Sequence, residues 1–150
     1  MSRLLLVAHA PTPAVQELVE ALREGVGLVD GVELVQRPAL SCGAADVLEA
    51  DAVLLATPAY LGSMSGALKH FFDVVYYPVL DATPGLPHAL LVHGGSDTTG
   101  AVRAVERLTT GLRWRAVAPP LELTGPPDRA AREACVELAG TLAATLSTGA

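Results

Sequence analysis

The sequence predicts an α/β domain, a three-layer sandwich in which a five-stranded parallel sheet of order 2-1-3-4-5 carries helices on both faces. Three observations point there. The short runs Arg3 to Ala8, Ala52 to Ala56 and Ala89 to His93 are apolar at nearly every position, as strands buried on both faces must be. Between them lie segments whose apolar residues recur at helical spacing. Each of the three runs also ends in a loop carrying proline or paired glycines, and in open α/β sheets ligands bind at that end of the strands.

The elements follow in order. Val15, Leu18, Val19, Leu22 and Val26 repeat with the period of a helix that stops at Gly27. Val32 to Gln36 alternates as a shorter strand nearer the sheet edge, and Asp46 to Ala50 forms a brief helix before the third strand, Ala52 to Ala56. Leu68, Phe71, Phe72 and Val75 mark the buried side of a helix from Ser65 to Val75, which is expected to end before Pro78. A polar turn over 81–87 leads to the fourth strand, and Ala101, Val105, Leu108 and Leu112 trace a helix capped by Asp97 or Thr98. Pro119 and Pro120 interrupt residues 115–123, so a last strand there lies at the edge or is split in two. Residues 128–146 read as a final helix, with 147–150 frayed. No repeat, low-complexity tract or linker divides the chain, and one domain is expected over residues 1–150.

Composition narrows the function. The chain is 51% hydrophobic with mean hydropathy +0.41, yet its apolar runs fall far short of the ~18 residues of a membrane span. Arg3 to Ala8 is also too short for a signal peptide and reads as the first strand of a cytoplasmic protein. The net charge is −6, and from Ser41 to Ala101 six acids, Asp46, Glu49, Asp51, Asp73, Asp81 and Asp97, face Lys69 as the sole Lys or Arg. Phosphate neutralisation needs a basic face, so nucleic acid is excluded as a partner. Arg103, Arg107, Arg113 and Arg115 form a local positive group that reads as a solvated surface. Cys42 and Cys135 are widely spaced without a CxxC pair, which indicates reduced thiols rather than a metal site or a disulfide framework.

The chemistry lies in the loops. The first, His9-Ala10-Pro11-Thr12-Pro13-Ala14, opens a helix whose N-terminus offers unpaired N–H groups to a phosphate, with Thr12 adding a hydroxyl. Thr12 is equally suited to be a helix cap ahead of Pro13. The loop lacks the glycines of a dinucleotide fingerprint or a Walker loop, which disfavours both. The second loop, Thr57-Pro58-Ala59-Tyr60-Leu61-Gly62-Ser63-Met64, sets a flat amphipathic ring between Pro58, which limits the backbone angles, and Gly62, which permits angles other residues handle badly, and can wrap a planar ligand. The third, His93-Gly94-Gly95-Ser96-Asp97, lets the backbone approach a ligand edge closely. In a 2-1-3-4-5 sheet these three converge on one crevice.

The segment TPAYLGSMSGALKHFFD at 57–73, with the order of elements over nearly the whole chain, resembles the flavodoxin-like superfamily. Within it, the chain is similar to the small FMN-dependent NAD(P)H oxidoreductases of quinone or flavin reductase type. The resemblance implies that His9, Thr12, Pro13, Ala14 and Val15 surround the FMN phosphate. It also implies that Pro58, Ala59, Tyr60, Leu61, Gly62, Ser63 and Met64 line one side of the isoalloxazine ring and His93, Gly94, Gly95 and Ser96 the other. The flavin then carries the chemistry and no catalytic side chain is required. The first loop departs from the Ser-, Thr- and Gly-rich phosphate loop of flavodoxins, with one hydroxyl, two prolines and His9 in its place.

The resulting expectation is an oxidoreductase passing hydride or electrons from NAD(P)H through FMN to a quinone or similar small-molecule acceptor. Two other readings share the fold: an electron-carrying flavodoxin without a nicotinamide substrate, and a cofactor-free binding module. By analogy with similar reductases, a homodimer or homotetramer is expected, with Tyr76 and Tyr77 on the helix that would make the contact.

Overall fold

The computed structural model describes residues 1–147. In chain order the elements are β1 (Ser2–Ala8), α1 (Pro13–Gly27), β2 (Val32–Pro38), α2 (Ala44–Leu48), β3 (Ala52–Tyr60), β4 (Ser63–Met64), α3 (Gly66–Val79), β5 (Pro87–Gly94), α4 (Thr99–Gly111), β6 (Arg115–Ala116), β7 (Leu121–Thr124) and α5 (Arg129–Ser147). The sheet runs β2-β1-β3-β5, with β6 and β7 both pairing parallel to β5 on its far side. That is the 2-1-3-4-5 order, its last strand divided at Pro119 and Pro120, where a proline cannot donate to the ladder. With β4 added, antiparallel to β3, the sheet has seven strands rather than five.

Alternation along the central strands builds the two cores. Leu5, Val7, Val53, Leu55, Leu90 and Val92 meet Leu68, Phe71, Phe72, Val75, Val102 and Val105 of α3 and α4. Their neighbours Leu4, Leu6, Leu54, Ala56 and Leu91 turn the other way, onto Val15, Leu18 and Leu22 of α1 and Cys135, Leu138 and Leu142 of α5. Each large apolar side chain fully buried here contributes about 1.5–3 kcal/mol. Both cysteines are buried free thiols.

Several boundaries differ from expectation: β2 runs on to Pro38 past Gln36, and α2 spans Ala44–Leu48 in place of 46–50. β3 does not stop at Ala56 but continues through Pro58 to Tyr60, because β4 returns alongside it and pairs Ala59 with Met64 and Tyr60 with Ser63. α3 does not end before Pro78 but runs on to Val79. Pro78 sits in its last turn, and the carbonyl that loses a donor there belongs to Val74, which is exposed and can turn to water. Thr98 precedes α4 but its side chain caps nothing; Asp97 Oδ1 instead accepts from the Thr99 N–H at 2.9 Å. Ser147 lies within α5, and the expected fraying of 148–150 falls outside the described residues. Among the described residues no helix is long and apolar enough to cross a membrane.

Candidate functional site

Strand register carries the loops to one edge. Ala8 pairs with Ala56, Pro58 with His93, and Gly94 with Thr124, so the carboxyl ends of β1, β3, β5 and β7 lie side by side. The His9 N–H donates to the Ala56 carbonyl at 3.1 Å, tying the first loop to β3.

The first loop is held in shape by its own side chains. Thr12 is the N-cap of α1, its Oγ1 accepting from the Val15 N–H at 3.3 Å, while Gln16 Nε2 donates to the Ala10 carbonyl at 3.2 Å. Because Thr12 accepts in that cap, its hydroxyl hydrogen remains to donate outward. Pro11 and Pro13 carry no N–H and the His9 N–H is engaged, so the loop offers an anion the N–H groups of Ala10, Thr12 and Ala14. No acid stands in the first turn of α1 to repel one. That donor set fits a phosphate, with fewer donors than a loop rich in Ser, Thr and Gly would present.

The second loop is a two-residue β-hairpin. Leu61 (φ 52°) and Gly62 (φ 75°) both adopt positive φ between Tyr60 and Ser63, the pattern of a type I′ turn. Its base is anchored by Thr57, whose buried hydroxyl donates to the Pro58 carbonyl at 2.8 Å and accepts from the Ser65 N–H at 3.0 Å. Ser65 in turn caps α3 by accepting from the Leu68 N–H at 3.2 Å. The tip is apolar and exposed: Leu61 is fully open and Tyr60 is 43% exposed.

The third loop is tied sideways. His93 Nε2 donates to the Gly125 carbonyl at 2.7 Å, which fixes the proton on that nitrogen. The Gly125 N–H donates to the Gly94 carbonyl at 3.2 Å. The imidazole therefore braces a neighbouring loop. Thr98 Oγ1 donates to Glu122 on β7 at 2.9 Å.

Of the residues expected at a ligand, Tyr60, Leu61, Gly62, Ser63, Gly95 and Ser96 lie open or half-open at this edge, as do His9, Thr12, Pro13 and Ala14. Pro58 and Gly94 are buried beneath them, and Val15 and Met64 turn their side chains into the core. Two contributors escaped sequence reading. One is a fourth loop, Thr124-Gly125-Pro126-Pro127, whose strand-then-turn composition was the available signal. The other is Gly100, in the first turn of α4, which packs against Gly62. No Lys or Arg occurs in any of the four loops, so the attraction for an anion comes from backbone dipoles. Tyr76 and Tyr77 lie at the far end of α3, away from this edge, with the Tyr76 hydroxyl against Gly111 and Tyr77 81% exposed.

Residues 35–124, which include the hairpin and the third loop, match the profile of the NADPH-dependent FMN reductases. The chain belongs to that family. None of the curated proteins matches its sequence. Among solved structures, this member of the FMN reductase family is similar to a flavodoxin from the domain Archaea, at 15% identity and TM-score 0.83, covering 97% of this chain and 99% of that one. A flavodoxin, WrbA-like protein from Agrobacterium tumefaciens gives 15% identity and TM-score 0.78, covering 99% of both chains. The flavodiiron core of Flv1 from Synechocystis sp. gives 12% identity and TM-score 0.83, covering 99% of this chain and 37% of that longer one. At such identities the likeness establishes the flavodoxin-like fold, and the family match carries the rest.

Proposed function

We propose that this protein binds FMN at the carboxyl edge of its sheet and passes reducing equivalents from NAD(P)H to a quinone or similar small acceptor. The observation that carries the reading is the meeting of three loops at that edge, two of which lie in the segment matching the family profile. When bound, FMN supplies the hydride and electron chemistry.

The chain's own residues bind and orient. The Thr12 hydroxyl and the N–H groups of Ala10, Thr12 and Ala14 would hold the phosphate at the positive end of α1. Backbone donors at 60–64 and 94–96 would orient the ring and tune its potential. Tyr60 and Leu61, exposed at the hairpin tip, supply the apolar surface that excludes water from one side.

The test has two stages. Addition of the purified protein to FMN should quench the flavin's fluorescence and shift its visible bands; absence of both would remove every redox reading and leave a binding module. Steady-state NADPH oxidation with a quinone then follows. A protein that binds FMN but oxidises almost no NADPH is an electron carrier instead.

A further inference from the structure

Gly100 occupies the first turn of α4, where alanine would form the better helix. Its place is explained by what lies over it. A Cβ at this position would sit 2.8 Å from the Gly62 carbonyl carbon and 3.2 Å from its α-carbon, overlapping the Gly62 carbonyl oxygen outright. The atoms met are backbone, so no side-chain rotation relieves the overlap. The obstructed group is the hairpin turn itself, at the residue whose φ of 75° already requires glycine. A second close approach stands beside the first: a Cβ at Gly94 would lie 3.3 Å from the Ala59 Cβ and 3.2 Å from Thr98 Cγ2. The hairpin and the start of α4 thus meet with no side chain between them at Gly100.

We infer that Gly100 is a positioning residue: its bare α-carbon is the seat on which the turn at Leu61 and Gly62 rests, and it sets how far the hairpin stands from the loop at 93–96. The inference rests on the FMN reading above for its consequence, though not for the contact itself. On that reading the separation of the two walls decides whether a flat ring fits, and a methyl group at residue 100 changes it. The ligand wall is thereby referenced to α4, an element that supplies no proposed ligand contact of its own.

The experiment compares the wild type with Gly100→Ala and with Gly140→Ala. The latter is a control in α5, where the nearest atom to a new Cβ, the Gly25 carbonyl oxygen, is at an ordinary 3.6 Å. Backbone amide shifts of 57–64 in the free protein report the hairpin, thermal unfolding reports the fold, and FMN fluorescence titration reports the site. Gly100→Ala should unfold cooperatively and displace the amide resonances of 60–63. It should also weaken FMN binding at least ~10-fold, with Gly140→Ala unchanged in both respects. Hairpin resonances unmoved in Gly100→Ala overturn the inference, as does a moved hairpin with wild-type FMN affinity. If Gly100→Ala does not fold, the inference is overturned, since the contact would then be a requirement for folding and not a positioning device. A wild type that does not bind FMN defeats the functional reading alone, because the amide shifts still judge the contact.

Discussion

The hydroxyl oxygens of Thr57 and Ser65 lie 3.1 Å apart, both side chains almost wholly buried, and together they join the end of β3 to the cap of α3. Between them the chain leaves the core, turns, and comes back. The pair therefore fixes both feet of the hairpin.

Replacing Thr57 with Val removes the acceptor for the Ser65 N–H while keeping the side-chain shape. An unsatisfied buried donor costs about 1–3 kcal/mol, and urea denaturation should show a loss of that size. Thr57→Ser keeps the oxygen and should retain most of the stability. FMN affinity should fall with Thr57→Val and not with Thr57→Ser.

Thr12 is expected to act twice. Thr12→Ala removes the cap on Val15, worth about 1 kcal/mol by thermal or chemical unfolding. It also removes the only hydroxyl in the first loop, the proposed phosphate site, so FMN affinity should drop while riboflavin affinity, which involves no phosphate, stays constant. Equal loss for both ligands would place the phosphate elsewhere.

Leu61 holds a positive φ that a side chain of its kind seldom adopts, at the first central position of a turn that favours Asn-Gly. Leu61→Asn should therefore raise stability, by up to about 1 kcal/mol in urea midpoints. If it also weakens FMN binding, the retained strain is explained by contact of the leucine side chain with the ligand.

His88 should make the protein acid-sensitive. It is 6% exposed, close to the buried Trp114, and its Nδ1 has no hydrogen-bond partner among the described residues. Burial pushes its pKa below the ordinary 6.5, opposed by a backbone hydrogen bond with Arg115. The unfolded chain then binds a proton more readily than the folded one. Stability is complete above pH 6.5 and declines as the pH falls below it toward the lowered folded value. Unfolding midpoints measured from pH 7.5 to 5 should decline, and His88→Gln should flatten that decline.

The two thiols should be inert in the native state. Burial pushes both Cys42 and Cys135 up to about 12, with Asp46 adding to the effect at Cys42 against the pull of Arg37. A thiol reagent at pH 8 should label neither until the protein unfolds. Rapid native labelling of Cys42 would show that its loop opens.

Much of the fold was legible because buried parallel strands and amphipathic helices write themselves as runs and periods. Leu4 to Ala8 and Val15 to Val26 need no tertiary information to be read. The hairpin was less so. Leu61-Gly62 lacks the Asn-Gly signature of its turn, and Pro58 within β3 argued against a continuing strand, so its extent depended on β4 returning to pair with it. Pro78 marked the helix end too early, since solvent could satisfy the carbonyl it left without a donor. For the site, the three loops were visible as turn chemistry next to strands. Contacts across the chain were not: the His93 bond to Gly125, the Thr98 bond to Glu122 and the Gly62 contact with Gly100 each join segments whose adjacency only the folded sheet defines.

The divided strand beyond β5 has a bearing on behaviour at high concentration. An edge with a long, regular row of unpaired amides is a template for another chain. Here β6 has two residues and β7 four, with consecutive prolines between them. At the opposite edge β2 carries Glu33 and Arg37 and ends in Pro38. The β6–β7 margin offers an incoming strand no uninterrupted run of donors and acceptors, and at the β2 margin the charged side chains and the terminal proline disfavour pairing, so the sheet resists growing by edge-to-edge addition. A chain that is half hydrophobic by composition thereby protects itself against aggregation through its strand margins.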